Sequence, residues 1–472
     1  MRSILLVAGL LLAAGCVGPS DGTTPAAVVE RGPFVDPIAD DHDHASFADH
    51  ALWTPNMHLV GHTTMSEDGK PFSYIGEMDT YGNLTVVQVL GRGSTPGFVV
   101  LDTSDPAAPR PIGRAEMPYS YVVDVKWSPD GKHVFAASQA APRPDAAAPF
   151  ESLVTGWGFT QWDMSDPTAP VAVAGGYVPY GCHMLSVKEL RGELTVFCIS
   201  QGLVHVFAYA GEGAWTQVNA FGPGASLAGA QRVVSETLAA GPNAPFVALL
   251  ATGPHDITIQ EDPLEPGRFI ASVSYWDFGL RFYDVTDPRS PVLLGAWGGQ
   301  GADVYEGNVH GAMLYGHHGE QRLAVVGPEL LGDTYPALWL LDVTDFANPT
   351  IVGEWVPPGQ HATQGLLLTT HQFQVVDEKI YLAYNHAGVW VLDLHAIMDG
   401  TYKDDPTRPE VLGYYLPHQE VELYDREAAA VPNTWDVNVR DGFIFASDRY
   451  TGFYVLHYAG DEMGDANVTS YT

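Results

Sequence analysis

The chain has 472 residues, with 56 Asp and Glu against 22 Lys and Arg and a formal net charge of −34; only six of its basic residues are lysines. Such a surface repels nucleic acid and anionic lipid, which excludes both as partners, and it suits a saline habitat where screening weakens self-repulsion. Gly 50, Pro 35 and 11% aromatic residues favour many turns and bulky packing over long amphipathic helices.

The first predicted element is an export signal over residues 1–16. Met1-Arg2-Ser3 is a minimal basic region, Ile4 to Ala14 is apolar but too short to span a bilayer, and Ala13-Ala14-Gly15-Cys16 supplies small residues for processing. This resembles a lipoprotein lipobox, which implies lipidation of Cys16, although Ala13 stands where Leu is commoner. Ordinary secretion with cleavage near Ala14 or Gly15 is the rival reading. Residues 17–49 then form a flexible stalk carrying Asp41-His42-Asp43-His44, with His50 just beyond, and are read as a solvated linker. The expectation is an exported prokaryotic lipoprotein, at the cell surface or in the periplasm, attached to the membrane through lipid alone.

From residue 50 to 460 one phrase recurs: an apolar run, Asp-x-(Ser/Thr)-Asp-Pro-x-x-Pro, then Gly. It reads VVLDTSDPAAPRPIG from Val99, TQWDMSDPTAPVAVAG from Thr160, RFYDVTDPRSPVLLG from Arg281 and LWLLDVTDFANPTIVG from Leu338, with Phe346 replacing a proline. A worn copy, VWVLDLHAIM from Val389, reaches its Pro and Gly only at Pro409 and Gly413. Alternation before the phrase suits a half-buried strand, Asp-Pro starts a turn, and the later Pro and Gly bracket an outer strand. The Asp residues are therefore read as turn formers and not as calcium ligands. The phrase resembles the LVIVD repeat of exported and surface proteins, and that resemblance implies a β-propeller but no particular activity.

Seven units follow from the period. Their first strands are aligned on His58, Val123, His183, His255, His310, His371 and Trp435, and their third strands open at Gly97, Gly158, Gly202, Gly279, Ala337, Gly388 and Gly452. The fold expected is an all-β, seven-bladed propeller. Its last unit stops after three strands, so a segment between Val28 and Trp53 is expected to supply the fourth and close the ring. An insertion at about 222–245, holding a short surface helix over Ser226 to Ala239, and a polar tail at 461–472 lie outside the repeat.

Cys182 and Cys198 flank one hairpin of the third unit, where a disulfide and two free buried thiols are both open. Asn83-Leu84-Thr85 and Asn467-Val468-Thr469 are sequons, read equally well as plain surface Asn.

Five of the seven aligned positions are His: His58, His183, His255, His310 and His371. At the entrance of an innermost strand they would meet around the central channel and could ligate copper, zinc or iron, with Cys182 as a soft ligand and Asp256 orienting a ring. The plainer alternative has each His bonding a carbonyl of the neighbouring blade. A one-residue shift decides between them. His317-His318 is read as part of a solvated hairpin loop. No His-Glu-x-x-His, Gly-x-Ser-x-Gly, phosphate loop or dinucleotide fingerprint is present. The function expected is a monomeric, surface-anchored, non-catalytic module binding a protein or glycan; the alternative is a metal-dependent enzyme with its His cluster at the channel mouth. For the second, the chain resembles the selenium-binding and methanethiol oxidase family in its Asp-x-Ser-Asp-Pro turns and its His column. That likeness implies a His-bound metal in a propeller.

Overall fold

The computed structural model describes residues 53–65, 74–90, 95–118, 120–140, 158–178, 181–200, 202–211, 213–222, 254–276, 278–298, 309–329, 337–355, 369–399, 411–417 and 432–460. The signal and stalk expectations, including Cys16, the helix over Ser226 to Ala239, the polar tail and Asn467 lie outside them.

The first strand is β1 (Met57–Thr63). Blade 1 follows as β2 (Ile75–Tyr81), β3 (Leu84–Val89), β4 (Gly97–Asp102) and β5 (Arg110–Glu116). Blade 2 is β6 (Ser120–Trp127), β7 (His133–Ala140), β8 (Gly158–Asp163) and β9 (Val171–Tyr177). Blade 3 is β10 (Leu185–Leu190), β11 (Glu193–Ser200), β12 (Leu203–Gly211) and β13 (Ala214–Phe221). Blade 4 is β14 (Asp256–Glu261), β15 (Phe269–Ser274), β16 (Leu280–Asp284) and β17 (Val292–Trp297). Blade 5 is β18 (Val309–His317), β19 (Gln321–Pro328), β20 (Leu338–Asp342) and β21 (Thr350–Trp355). Blade 6 is β22 (Phe373–Val376), β23 (Lys379–Tyr384), β24 (Gly388–Asp393) and β25 (Val411–Tyr415), with α1 (Leu394–Asp399) after β24. Blade 7 is β26 (Thr434–Arg440), β27 (Phe443–Asp448) and β28 (Gly452–Tyr458), and β1 completes it by pairing with β28. The chain is a seven-bladed β-propeller of four-stranded antiparallel sheets.

Two expectations need correction. The closing strand is Met57–Thr63 and not a segment between Val28 and Trp53. The run after His58 is therefore the outer strand of blade 7, and the innermost strand of blade 1 is β2, turned into β3 through Gly82-Asn83. Blade 1 and the closing strand together occupy the long stretch before Gly97 that the repeat alignment had given to one unit.

The core is divided among the blades. Seven apolar clusters each join two neighbouring blades: Val100, Val125 and Trp162 between blades 1 and 2, for example, and Met78, Leu101 and Phe453 between blades 7 and 1. This follows from alternation, because a sheet stacked on both faces must bury residues of both parities in its central strands.

The repeated phrase does two jobs. Its first Asp accepts the backbone N–H two residues on, Asp102 from Ser104 and Asp284 from Thr286, both at 3.0 Å. Its second Asp repeats the bond, Asp105 to Ala107 and Asp287 to Arg289, again at 3.0 Å. These turns then dock on the preceding blade. A Cβ at Gly295 in β17 would lie 1.6 Å from the Phe346 carbonyl oxygen of blade 5, and one at Gly113 in β5 would lie 2.0 Å from that of Pro167 in blade 2. Ring closure uses the same contact, with Gly61 of β1 against Pro106 of blade 1. Only a residue without a side chain permits this approach.

Replacing Gly295 by Ala should thus force backbone against backbone. Urea unfolding of Gly295→Ala is expected to show a loss of ~1–3 kcal/mol; an unchanged midpoint would remove the interlock from the account.

Candidate metal centre

The entrance of every innermost strand carries a local irregularity. In blades 3, 4 and 6 two residues oppose one: His183 and Met184 both bond Ile199, His255 and Asp256 both face Ser274, and His371 and Gln372 both bond Ala383. In blades 2, 5 and 7 the register shifts across Val123, His310 and Trp435. A bulge of this kind bends the strand and re-aims one side chain. Here the re-aimed residues meet across blade boundaries.

His183, His255, His310 and His371 form a continuous arc. Successive ring centroids lie 4.6, 4.5 and 4.3 Å apart, and Trp435 continues the arc 3.6 Å beyond His371. Trp276 packs 4.0 Å from His255; its φ of 48° is a left-handed conformation held by a two-way backbone bridge to Val309, next to His310. His183 Nε2 and His255 Nε2 are 3.0 Å apart. His371 Nδ1 donates to the Trp435 carbonyl at 2.9 Å. His310 is fully buried, and neither of its ring nitrogens makes a hydrogen bond of normal geometry; Glu329, just after β19, brings a carboxylate oxygen to 3.6 Å from its Nε2. One donor atom from each of His255, His310 and Glu329 falls within 4.8 Å of the others.

Protonation favours ligation by imidazole. Burial pushes His183 down to about 4 and His310 down to about 3, and it carries His255 and His371 well below the usual value. All four rings are thus neutral at neutral pH. Burial also lifts Glu329 up to about 8, with the Arg449 guanidinium opposing the rise.

Beside the imidazoles lies an acidic cluster from the same inner strands. Glu77, Asp124, Asp256 and Asp436 are buried around Lys126, whose Nζ donates to Asp124 Oδ1 at 2.6 Å, and the Arg449 guanidinium also acts on Glu77. Burial raises the carboxyl groups of Glu77 and Asp436, and raises Asp256 to about 6. Several of these acids also latch the ring: Asp124 accepts from Leu185 N in the next blade at 2.9 Å, and Asp436 from Met78 N at 2.8 Å. Burial holds protons on part of this cluster, so its negative charge is smaller than four carboxylates would give.

The expected residues are placed unevenly. His58 is not in the group; it lies on the outer strand β1 opposite His457, because its run closes blade 7. Cys182 is disulfide-bonded to Cys198, with Cα atoms 5.5 Å apart, so its sulfur is committed and is no soft ligand. It precedes β10 and Cys198 pairs with Leu185, so the two cysteines are not directly opposed on adjacent strands. Asp256 orients no ring, since its oxygens accept from Ile257 N and Gln372 Nε2. Glu329, Trp276 and Arg449 were not anticipated; an acid directly after the apolar run of β19 was the available signal for Glu329.

The buried groups fix a pH dependence. Between about pH 4 and 6.5 the unfolded chain holds imidazole protons that the native state lacks, while the native state holds carboxyl protons that the unfolded chain lacks; the two oppose each other. Above that window only the raised carboxyls differ, and their contribution is lost as pH rises through their folded values. Urea midpoints of metal-free protein should therefore fall from pH 6.5 to 8, and Glu329→Gln should shrink the fall. A midpoint that rises over this range would contradict the assignment.

No family model matches the chain, and no curated protein matches it, so neither resemblance drawn from its motifs gains a family match. Among solved structures, a functionally unknown protein from Desulfotomaculum acetoxidans is similar at 14% identity and a TM-score of 0.44, over 74% of this chain and 86% of that one. The Cps50 (Swd1) β-propeller domain of Myceliophteria thermophila is similar at 10% identity and a TM-score of 0.47, over 85% of this chain and 99% of that one.

Proposed function

We propose that the propeller holds a transition-metal ion, copper, zinc or iron, at its channel mouth and acts there as a metal-dependent enzyme. The observation that carries this reading is His310: a fully buried imidazole whose ring nitrogens make no hydrogen bond of normal geometry, facing His255 and the Glu329 carboxyl. Leaving a buried polar atom unsatisfied costs ~1–3 kcal/mol, and an ion ligated by the ring would remove that cost at one of its two nitrogens. Three protein ligands would leave a coordination position for substrate or water, as in catalytic centres and unlike closed structural ones. When bound, such an ion supplies Lewis acidity or one-electron chemistry. The protein's own part is to keep the rings neutral and dry.

The Cys182–Cys198 disulfide supports an oxidising compartment, in line with an exported lipoprotein modified at Cys16. A second reading, a surface module binding a protein or glycan, draws on the propeller architecture and on exposed Val171, Val173 and Tyr177 of β9.

Purified untagged protein is expected to carry close to one equivalent of one of these metals at the mouth, lost in His255→Ala and in His310→Ala while the melting transition persists. Folded protein that takes up none would leave the binding module standing. Because Glu329 must lose its proton to ligate, affinity should rise about tenfold per pH unit from pH 6 and level off above about 8. Titrations under a competing chelator would read this slope, and a flat profile would remove Glu329 from the ligand set.

A further inference from the structure

The other end of β18 carries a second constellation. His310 is the second residue of this strand and His317 its last, so at ~3.3 Å per residue the two lie about 23 Å apart along the chain. Around His317 gather His318 from the β18–β19 turn, Glu378 from the β22–β23 turn of blade 6, and His395 from α1. The His317 and His318 rings are 4.0 Å apart, and His395 lies 5.0 Å from the first and 5.7 Å from the second. Glu378 Oε1 is 3.8 Å from His317 Nδ1 and 3.9 Å from His318 Nδ1, while its Oε2 accepts from His395 Nε2. One donor atom from each of the four falls within 4.8 Å of the others.

Comparison among the blades shows how unusual these residues are for their positions. In blades 3 and 7 the two-residue turn of the inner hairpin is Arg191-Gly192 and Asp441-Gly442, with both φ angles positive and Gly second. Blade 6 has the same turn as Asp377-Glu378, at φ 48° and 61°. A side chain in this conformation costs ~1–2 kcal/mol, yet a Glu stands where the sister blades use Gly. His395 is the second departure. It occupies the place taken in the other phrases by Ser104, Ser165, Thr286 and Thr344, and its backbone N–H still bonds Asp393 Oδ1 at 2.9 Å, as theirs bond the corresponding Asp. The turn framework therefore does not need an imidazole there. His318, in the neighbouring turn, is also left-handed at φ 49°. Non-glycine residues retained in such backbone conformations tend to mark sites with a task.

We propose that His317, His318, His395 and Glu378 form a second, rim-exposed site for a borderline divalent cation of the Zn2+ type, separate from the channel mouth. Three imidazoles and one carboxylate are a tetrahedral donor set for such an ion. The side chains of His318, Glu378 and His395 are 67%, 34% and 38% exposed, so the ion exchanges with solvent while His317, at 12%, anchors it against the blade. Neither this site nor its test depends on the metal at the channel mouth.

The test is calorimetric titration of the full chain with Zn2+, comparing wild type with the double variant Glu378→Gly, His395→Ser. That variant restores the residues used by the sister blades, so its melting temperature should match or exceed that of the wild type. Wild type should show a class of sites that is lost, or weakened at least tenfold, in the double variant. His318→Gln, at an exposed turn, serves as a second probe and should also weaken this class about tenfold. Isotherms of folded double variant and His318→Gln that superimpose on the wild type would overturn the proposal.

Discussion

The structure depends on a small backbone constraint, the irregularity at the entrance of each innermost strand. Regular pairing would send alternate side chains into the two seams between blades and none toward the channel. Two residues opposing one break that alternation once, and the freed side chain turns to meet its counterpart from the next blade. In blades 3 to 6 that residue is His and in blade 7 it is Trp435, while Val123 of blade 2 packs on the apolar seam toward blade 3. The acids that follow Val123, His255 and Trp435 take up the adjoining polar layer, where Asp124 and Asp436 tie one inner strand to the next.

Apolar packing and the buried polar groups are thereby separated in space. The seven apolar seams between blades supply the burial, and the Gly-to-turn contacts set how closely blades approach. Closure through β1 leaves blade 7 with the same four strands and the same seam contacts as its neighbours. Polar groups can then concentrate near the axis, where burial keeps imidazoles neutral and raises the Glu329 carboxyl to about 8. An uncharged ring still needs an acceptor for its N–H and a partner for its one lone pair.

Much of this was legible in the sequence, for identifiable reasons. The Asp-Pro phrase encodes local turn chemistry, so its copies announced the blades, and the small residues at Gly97, Gly158, Gly388 and Gly452 do open third strands. His183, His255, His310 and His371 could be aligned because each shortly precedes or opens an innermost strand. His58 was misplaced because LVGHTTM reads equally well as an inner or an outer strand; only pairing with β28 distinguishes them. Glu329 escaped notice because its meaning comes from a neighbouring strand, not from its own segment. The rim cluster was hidden more deeply: His317-His318 looks like an ordinary polar turn until Glu378 and His395, some 60 and 77 residues later, fold beside it. Internal comparison of repeats was the clue, since a Glu at a Gly position and a His at a Ser or Thr position have no local justification.

The central claim is that strand-entrance bulges gather imidazoles into a ligand set at the channel mouth. Anomalous diffraction from crystals of the metal-loaded protein, collected on either side of the metal absorption edge, tests it most directly. The account predicts a peak at the mouth with His255, His310 and Glu329 atoms about 2.0–2.2 Å from it. A mouth without such a peak, with the four rings bonded only to one another or to backbone carbonyls, would contradict it.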